Sequence, residues 1–270
     1  MASWLTNPEL GVDKWMFKVA VNNLVQSIGG EVYLPSPSMA ASKNLAPLSL
    51  VERKNSWWRI NHSDYYTTDF VLENVLEETH LAQKVEMAST QSFCTFNRES
   101  TVKVDALLKG YVKGIFDAGV SRLDSMKIKT ELGELIIVEV DIQSLVDHIN
   151  ERKLRMNHQL VKEVSKSKRK ALCVVTGVVR TVSSASISIE LGAETRAHLQ
   201  TDKTMLDTLS SSYVIKGKIT GTHETESHRE LNLPTGTTVA YQLSELSISK
   251  QAEVEVMVAH GSKGGFRKAT

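Results

Sequence analysis

The 270-residue chain is 41% hydrophobic and carries 32 basic and 31 acidic side chains, a net charge of +1. This balance argues against a bulk electrostatic nucleic-acid binder, because any basicity would have to be local. Two cysteines, Cys94 and Cys173, are too few for a disulfide framework and suit a reducing compartment. We find no signal peptide and no apolar run of about 20 residues, so we expect a soluble cytoplasmic protein.

The first predicted element is a helix that begins at Asp13, a candidate N-cap, and ends at Ile28 before Gly29 and Gly30. Its apolar residues recur at helical spacing and form one stripe. The stripe consists of Phe17, Val21, Leu24, Val25 and Ile28. Residues 31–54 then predict a short strand, a loop rich in proline, serine and alanine, and a second strand.

A short connector after these strands places two tryptophans among basic residues. Trp57 and Trp58 are surrounded by Arg53, Lys54 and Arg59. Indole rings favour the headgroup layer of a membrane, and basic side chains favour anionic lipid, so this pattern indicates an interfacial anchor. The alternative is a small packing cluster of the two tryptophans beneath the loop.

Two long regions alternate with period 2, which is typical of strands. Residues 100–120 carry no charge at even positions, and residues 126–140 alternate again as a candidate partner. Alternate positions of 175–191 are also free of charge, and residues 213–221 offer a return strand. Such runs exceed the usual strand of about 5–6 residues and reach the length that spans a bilayer in membrane barrels. The alternative is an antiparallel sheet with one buried face and one wet face.

Residues 140–170, between these regions, are predicted to be helical with one break and contain two basic clusters. The first cluster is Arg152, Lys153 and Arg155. The second is Lys166, Lys168, Arg169 and Lys170. A charge run of this kind indicates either a solvated face or contact with an anionic surface, where each basic side chain contributes about 1 kcal/mol.

Several stretches, in a matching order along the chain, resemble the pore-forming N-terminal domain of the gasdermin family. "LVQSIGGEVYLP" is similar to the end of its first helix, and "LSLVERKNSWWRINHSDYYTTDFVLENVLE" to its first long hairpin. "HINERKLRMNHQLVKEV" is similar to its basic connector, and "LCVVTGVVRT" to the strand that opens its second membrane hairpin. "LPTGTTVAYQLSEL" resembles its closing strand and is the most specific of these motifs.

The resemblance implies an α+β fold, a twisted antiparallel β-sheet with flanking helices, which converts to a β-barrel pore with two membrane hairpins per subunit. The hairpins would come from 93–140 and 174–221. Residues 1–255 would form the pore-forming domain, and residues 256–270 a flexible basic tail. The implied protein binds acidic phospholipids, oligomerises into a large ring and permeabilises membranes, causing the lytic cell death of innate immunity. It would be cytoplasmic when inactive and at a cell or organelle membrane when active.

The family's lipid-contacting positions match particular residues of this chain. They are Lys14 and Lys18 in the first helix, Arg53, Lys54 and Arg59 at the hairpin tip, and Arg152, Lys153 and Arg155 in the connector. Trp57 and Trp58 at the same tip fit an interfacial anchor, because indole rings favour the headgroup layer. Lys14 and Lys18 are fewer basic residues than the first helix carries in several family members. The resemblance implies no catalytic residue, cofactor, metal or nucleic acid.

Most animal members of the family carry a second, inhibitory domain, whereas this sequence stops at Thr270. We therefore expect activation by something other than removal of a C-terminal domain, such as a partner, the short tail or a change in self-association. Cys94 and Cys173 open the two candidate membrane hairpins, so one hypothesis is a regulatory disulfide that holds an inactive dimer. The alternative is that both are small buried hydrophobic residues.

Two other classes of function compete with a pore. An enzyme is disfavoured, because the eight histidines are scattered and no nucleophile elbow, phosphate-binding loop or paired-cysteine site is present. A peripheral lipid- or protein-binding module that keeps the fold without forming pores is the alternative function. Leakage of liposomes distinguishes this module from a pore.

Overall fold

The computed structural model describes residues 8–30, 32–55, 63–78, 85–103, 125–150, 152–191, 228–249, 252–259 and 266–268. The helices are α1 (Pro8–Ile28), α2 (Met39–Ser42), α3 (Leu72–Val75), α4 (Ile142–Ile149) and α5 (Gln159–Ser165). The strands are β1 (Leu34–Pro35), β2 (Ser49–Asn55), β3 (Ser63–Val71), β4 (Met87–Lys103), β5 (Ser125–Val140), β6 (Lys170–Thr181), β7 (Ala185–Leu191), β8 (His228–Leu233), β9 (Thr238–Ile248), β10 (Val254–Ala259) and β11 (Phe266–Lys268). Among these residues, none of the helices has the length and apolar character needed to cross a bilayer.

Helix α1 ends where the sequence predicted but begins earlier. Pro8 starts the helix, because its restricted φ and missing N–H suit the first helical position. The prediction that Asp13 caps the helix is wrong, since Asp13 lies inside it and its carboxylate accepts a hydrogen bond from Arg229 at 3.2 Å. Four members of the predicted stripe are buried, which confirms its inward orientation; they are Phe17, Val21, Leu24 and Val25.

The chain forms two compact units. The first comprises Met1–Ala20, Phe96–Leu132 and Ala185–Leu233, and the second comprises Val21–Thr95, Gly133–Ser184 and Pro234–Thr270. In the first unit, the beginning of β5 pairs antiparallel with β7, and β7 pairs antiparallel with β8. The ion pair between Asp13 and Arg229 links α1 to β8 within this unit.

Strand β5 shows the predicted alternation from Met126 to Leu132, and the burial pattern then shifts by one residue at Gly133, after which Leu135 and Ile137 are buried. Lys127, Lys129 and Glu131 are exposed, whereas the side chains between them face inward. The inward set consists of Met126, Ile128, Thr130 and Leu132, each at most 1% exposed. The alternation in the sequence therefore corresponds to one solvent-exposed face and one buried face in this part of the strand.

In the second unit, β6 is a central strand. It pairs with β9 along one edge, and with β2 and then β5 along the other. One apolar cluster on β6 contains Leu172 and Val174 with residues of α4 and α5, and another contains Cys173 and Val175 with Leu45. Because both faces are covered, the prediction of a charge-free face opposite a polar face across 175–191 is wrong for β6.

Two consequences follow for the second candidate hairpin. Val178 and Val179 are both fully buried, so the two faces of β6 are covered at this point as well. The extended run breaks at 182–184, between β6 and β7. Residues 104–124 and 192–227, which include the predicted strand 213–221, lie outside the described residues.

The remaining elements confirm an antiparallel sheet with flanking helices. Helices α4 and α5 lie in the predicted helical region, α4 ending at Ile149 and α5 beginning at Gln159. Asp141 caps α4, accepting hydrogen bonds from Gln143 N at 2.9 Å and Ser144 N at 3.3 Å. The predicted closing strand is β9. Strand β10 spans residue 255 and pairs with β11. The division into a domain of residues 1–255 and a tail of residues 256–270 stays a prediction.

Candidate functional site

The tip of the β2–β3 hairpin is built by the last pairs of its two strands. Asn55 lies opposite Ser63, and the Ser63 hydroxyl donates a hydrogen bond to Asn55 Oδ1 at 2.9 Å. These two residues form the base of the connector 56–62. Trp57, Trp58 and Arg59 belong to this connector and lie outside the described residues.

Arg53 and Lys54 are neighbours on β2, so their side chains point to opposite faces of the sheet. The Arg53 guanidinium pairs with the Glu245 carboxylate at 2.7 Å, and both side chains are largely buried. Lys54 is exposed. The structure therefore separates two cations that the sequence treats as one group, and only Lys54 presents its charge to the surface.

A second basic segment lies beside this tip. Lys54 is the register partner of Lys170, the first residue of β6, and Asn55 N donates to the Arg169 carbonyl at 2.8 Å. Lys166, Lys168 and Arg169 are exposed in the turn between α5 and β6. Lys170 instead pairs with Glu52 at 2.8 Å, and this hydrogen-bonded partner raises the pKa of its ammonium group.

The first basic cluster, which consists of Arg152, Lys153 and Arg155, is organised differently from the hairpin tip. Arg152 is only 6% exposed, and its guanidinium donates to both carboxylate oxygens of Glu73 at 3.1 Å. It also donates to the Glu77 carbonyl at 2.9 Å, and the His148 ring contacts the same Glu73 carboxylate. Burial raises the pKa of Glu73, but the hydrogen bonds from Arg152 and His148 outweigh it and leave this pKa below its usual value. In this state Arg152 joins α3 to the end of α4, and a lipid contact would require that network to open.

The other two cations of this cluster differ from Arg152 in their surroundings. Lys153 is exposed, and its backbone forms a bridge with Glu253. Arg155 is 37% exposed and pairs with the 93% exposed Glu78 at 3.1 Å. Their assignment as lipid contacts stays a prediction. The same holds for Lys14 and Lys18, which are exposed on the part of α1 that belongs to the first unit.

Both cysteines are free thiols, but only one is near the surface. Cys173 is fully buried in β6, between Val51 of β2 and Glu245 of β9, and burial raises the pKa of its thiol to about 12. Cys94 is half-buried on β4, and burial raises its pKa as well. The regulatory disulfide stays a prediction, and in this state Cys173 could not join it without separation of the strands around it.

Sequence reasoning missed the acidic partners that decide which cations are available. Glu73 and Arg152 are 79 positions apart, and Glu245 lies on a different strand from Arg53. No local pattern connects such residues. The basic run 166–170 was visible as a charge cluster, but its position beside Lys54 depends on the pairing of β2 with β6.

Comparisons with known proteins agree with this architecture. A family model described as the gasdermin pore forming domain matches residues 16–268. Mouse pejvakin is 26% identical over 259 residues, which cover 94% of this chain and 67% of pejvakin. Mouse gasdermin-E is 26% identical over 260 residues, 93% of this chain and 48% of gasdermin-E. The chain thus spans about half to two thirds of the length of these relatives.

Among solved structures, the gasdermin A3 membrane pore, determined by cryo-EM, has a similar fold. The TM-score is 0.52 at 17% identity, with 89% of this chain and 93% of that chain covered. At this identity the similarity concerns the fold alone. The family match spans most of the sequence, from within α1 to the end of β11, and the chain belongs to the gasdermin family of pore-forming domains.

Proposed function

We propose that this protein binds acidic phospholipid surfaces, oligomerises there and inserts β-hairpins that permeabilise the membrane, causing lytic cell death. Membership of the gasdermin family supports pore formation in general. The similarity in fold to the gasdermin A3 membrane pore supports an oligomer in the membrane. The protein would act at a cell or organelle membrane after leaving the cytoplasm.

The observation that carries the proposal is the length and pattern of two adjacent strands. β4 has 17 residues and β5 has 16, and the two pair with each other. Each is longer than the roughly 9–11 residues that cross a bilayer core as a tilted strand. The alternation of charged and apolar side chains in β5 would supply a lumen face and a lipid face.

Oligomerisation follows from the physics of the backbone in lipid. Unpaired N–H and C=O groups in the hydrocarbon layer each cost several kcal/mol, so an inserted hairpin must pair with neighbours on both sides. One subunit with two hairpins cannot close that ring of hydrogen bonds by itself. Many copies arranged in a closed ring would.

The test is release of a trapped dye from liposomes, with anionic vesicles compared with zwitterionic ones and with or without a reductant. We expect leakage from anionic vesicles only. Binding to anionic vesicles without leakage would contradict pore formation and favour a peripheral lipid-binding module. Equal leakage from both vesicle types would contradict the requirement for acidic lipid.

A further inference from the structure

We infer that the exposed cations around the turn between α5 and β6 form the principal docking surface for an anionic lipid membrane. This basic turn surface consists of Lys54, Lys166, Lys168 and Arg169. The inference rests on the proposed lipid binding and states where the protein presents its charge. Three of the four residues lie outside the positions implied by the family resemblance.

The turn is held in a defined shape by backbone and serine hydrogen bonds. Ser167 N donates to the Val164 carbonyl at 3.1 Å, and Lys170 N donates to the Ser167 carbonyl at 3.1 Å. Arg169 N donates to the Ser167 hydroxyl at 3.3 Å. These bonds tie the turn to α5 and β6, while the side chains of Lys166, Lys168 and Arg169 remain exposed.

Strand pairing adds Lys54 to the same place. Lys54 is opposite Lys170, and the hydrogen bond from Asn55 N to the Arg169 carbonyl joins the end of β2 to the turn. The connector 56–62, which carries Trp57, Trp58 and Arg59 in the sequence, begins after Asn55.

The charge of this region differs from that of the whole chain. Residues 52–55, 63–66 and 162–170 contain seven basic and three acidic side chains, an excess of four, whereas the whole chain has an excess of one. Two of the seven cations are neutralised, Arg53 by Glu245 and Lys170 by Glu52. Within the described residues, no ion pair is found for Lys166, Lys168 or Arg169. The excess is thus concentrated on exposed side chains.

The first basic cluster, which consists of Arg152, Lys153 and Arg155, does not offer an equivalent surface. Arg152 is buried against Glu73, and Arg155 pairs with Glu78, so two of its three cations already have a carboxylate partner. An approaching lipid phosphate would have to displace those partners. At the basic turn surface it would displace only water and counterions, which favours docking there.

Flotation with vesicles of phosphatidylserine and phosphatidylcholine tests the inference. The test variant is Lys166→Gln, Lys168→Gln and Arg169→Gln combined. The matched control is Lys43→Gln, Lys127→Gln and Lys129→Gln combined, which removes the same charge from exposed positions outside every candidate lipid-contacting set. A basic side chain near anionic lipid strengthens partitioning about fivefold, so we expect the test variant to bind about 100-fold more weakly and the control to change much less.

Each result has a separate meaning. Wild-type protein that fails to bind these vesicles would contradict the proposed lipid binding itself. Wild-type binding with equal losses in the two variants would overturn the inference, because net charge and not this surface would then decide. Tighter binding of the wild type to a labelled DNA duplex than to the vesicles, lost in the test variant, would also overturn it. Thermal unfolding by circular dichroism confirms that both variants fold.

Discussion

Arg152 places its guanidinium against Glu73 so that each of two nitrogens donates to one carboxylate oxygen at 3.1 Å. A planar, two-point contact of this kind is the strong geometry for this pair of groups. Arg152 is nearly buried while the Glu73 side chain is 53% exposed, so the pair lies at the edge of the core. It therefore acts as a link between two segments that are far apart in the chain.

Removal of Arg152 should destabilise the protein more than removal of Arg155. For Arg152→Ala we expect a loss of about 2–3 kcal/mol in the free energy of unfolding, because Glu73 and the Glu77 carbonyl lose buried donors. For Arg155→Ala we expect about 0–1 kcal/mol, because its partner Glu78 is almost fully exposed. Urea titration followed by circular dichroism measures both. Equal losses would contradict the structural role of Arg152.

The same pair predicts a dependence of stability on pH. The pKa of Glu73 is lower in the folded protein than its ordinary value of 4.5, so Glu73 contributes stability that is present above that value. This contribution disappears as the pH falls from 4.5 through the folded pKa. The variant Glu73→Gln lacks it at every pH. The difference in stability between wild type and variant, measured from urea midpoints, should therefore be largest at neutral pH and should decrease below pH 4.5. A difference that stays constant with pH would contradict this prediction.

Reactivity of the thiols tests which cysteine can take part in a disulfide. Burial and the pKa of about 12 leave Cys173 protonated and shielded at neutral pH, so iodoacetamide should not modify it in the folded protein. Cys94 is half-buried and should react slowly. Mass spectrometry after alkylation, with and without denaturant, reports each site. Modification of Cys173 at equal rates in both conditions would refute its burial.

The positive φ of Gly133 in β5 predicts which of two substitutions at this position destabilises the protein more. Gly133 has a φ of +65°, and among the described residues a Cβ there would meet Ser183 Oγ alone, at 3.8 Å. The cost of Gly133→Ala should thus come from the backbone and amount to about 1 kcal/mol. Gly133→Asn should cost less, because asparagine tolerates this region better. Thermal unfolding of the two variants checks the order, and a more stable alanine variant would contradict it.

Local periodicity was enough to predict several elements. The sequence predicted the alternation of Met126 to Leu132, the apolar stripe of α1 and the closing strand β9, because each depends on chain geometry within a few residues. The basic run 166–170 could be recognised in the sequence for the same reason. The start of α1 was misplaced, because the prediction took Asp13 as the N-cap and overlooked Pro8 as a helix-start signal.

Other features depended on segments that meet only in the folded chain. Val178 and Val179 look like opposite faces of a strand, yet both are fully buried in β6. Arg152, Lys153 and Arg155 look like one basic cluster, yet Glu73 and Glu78 give them different surroundings. Family membership could be inferred from residue order alone, since ordered motifs are themselves local. Which cations remain exposed was set by strand pairing and by distant carboxylates, which no local pattern encodes.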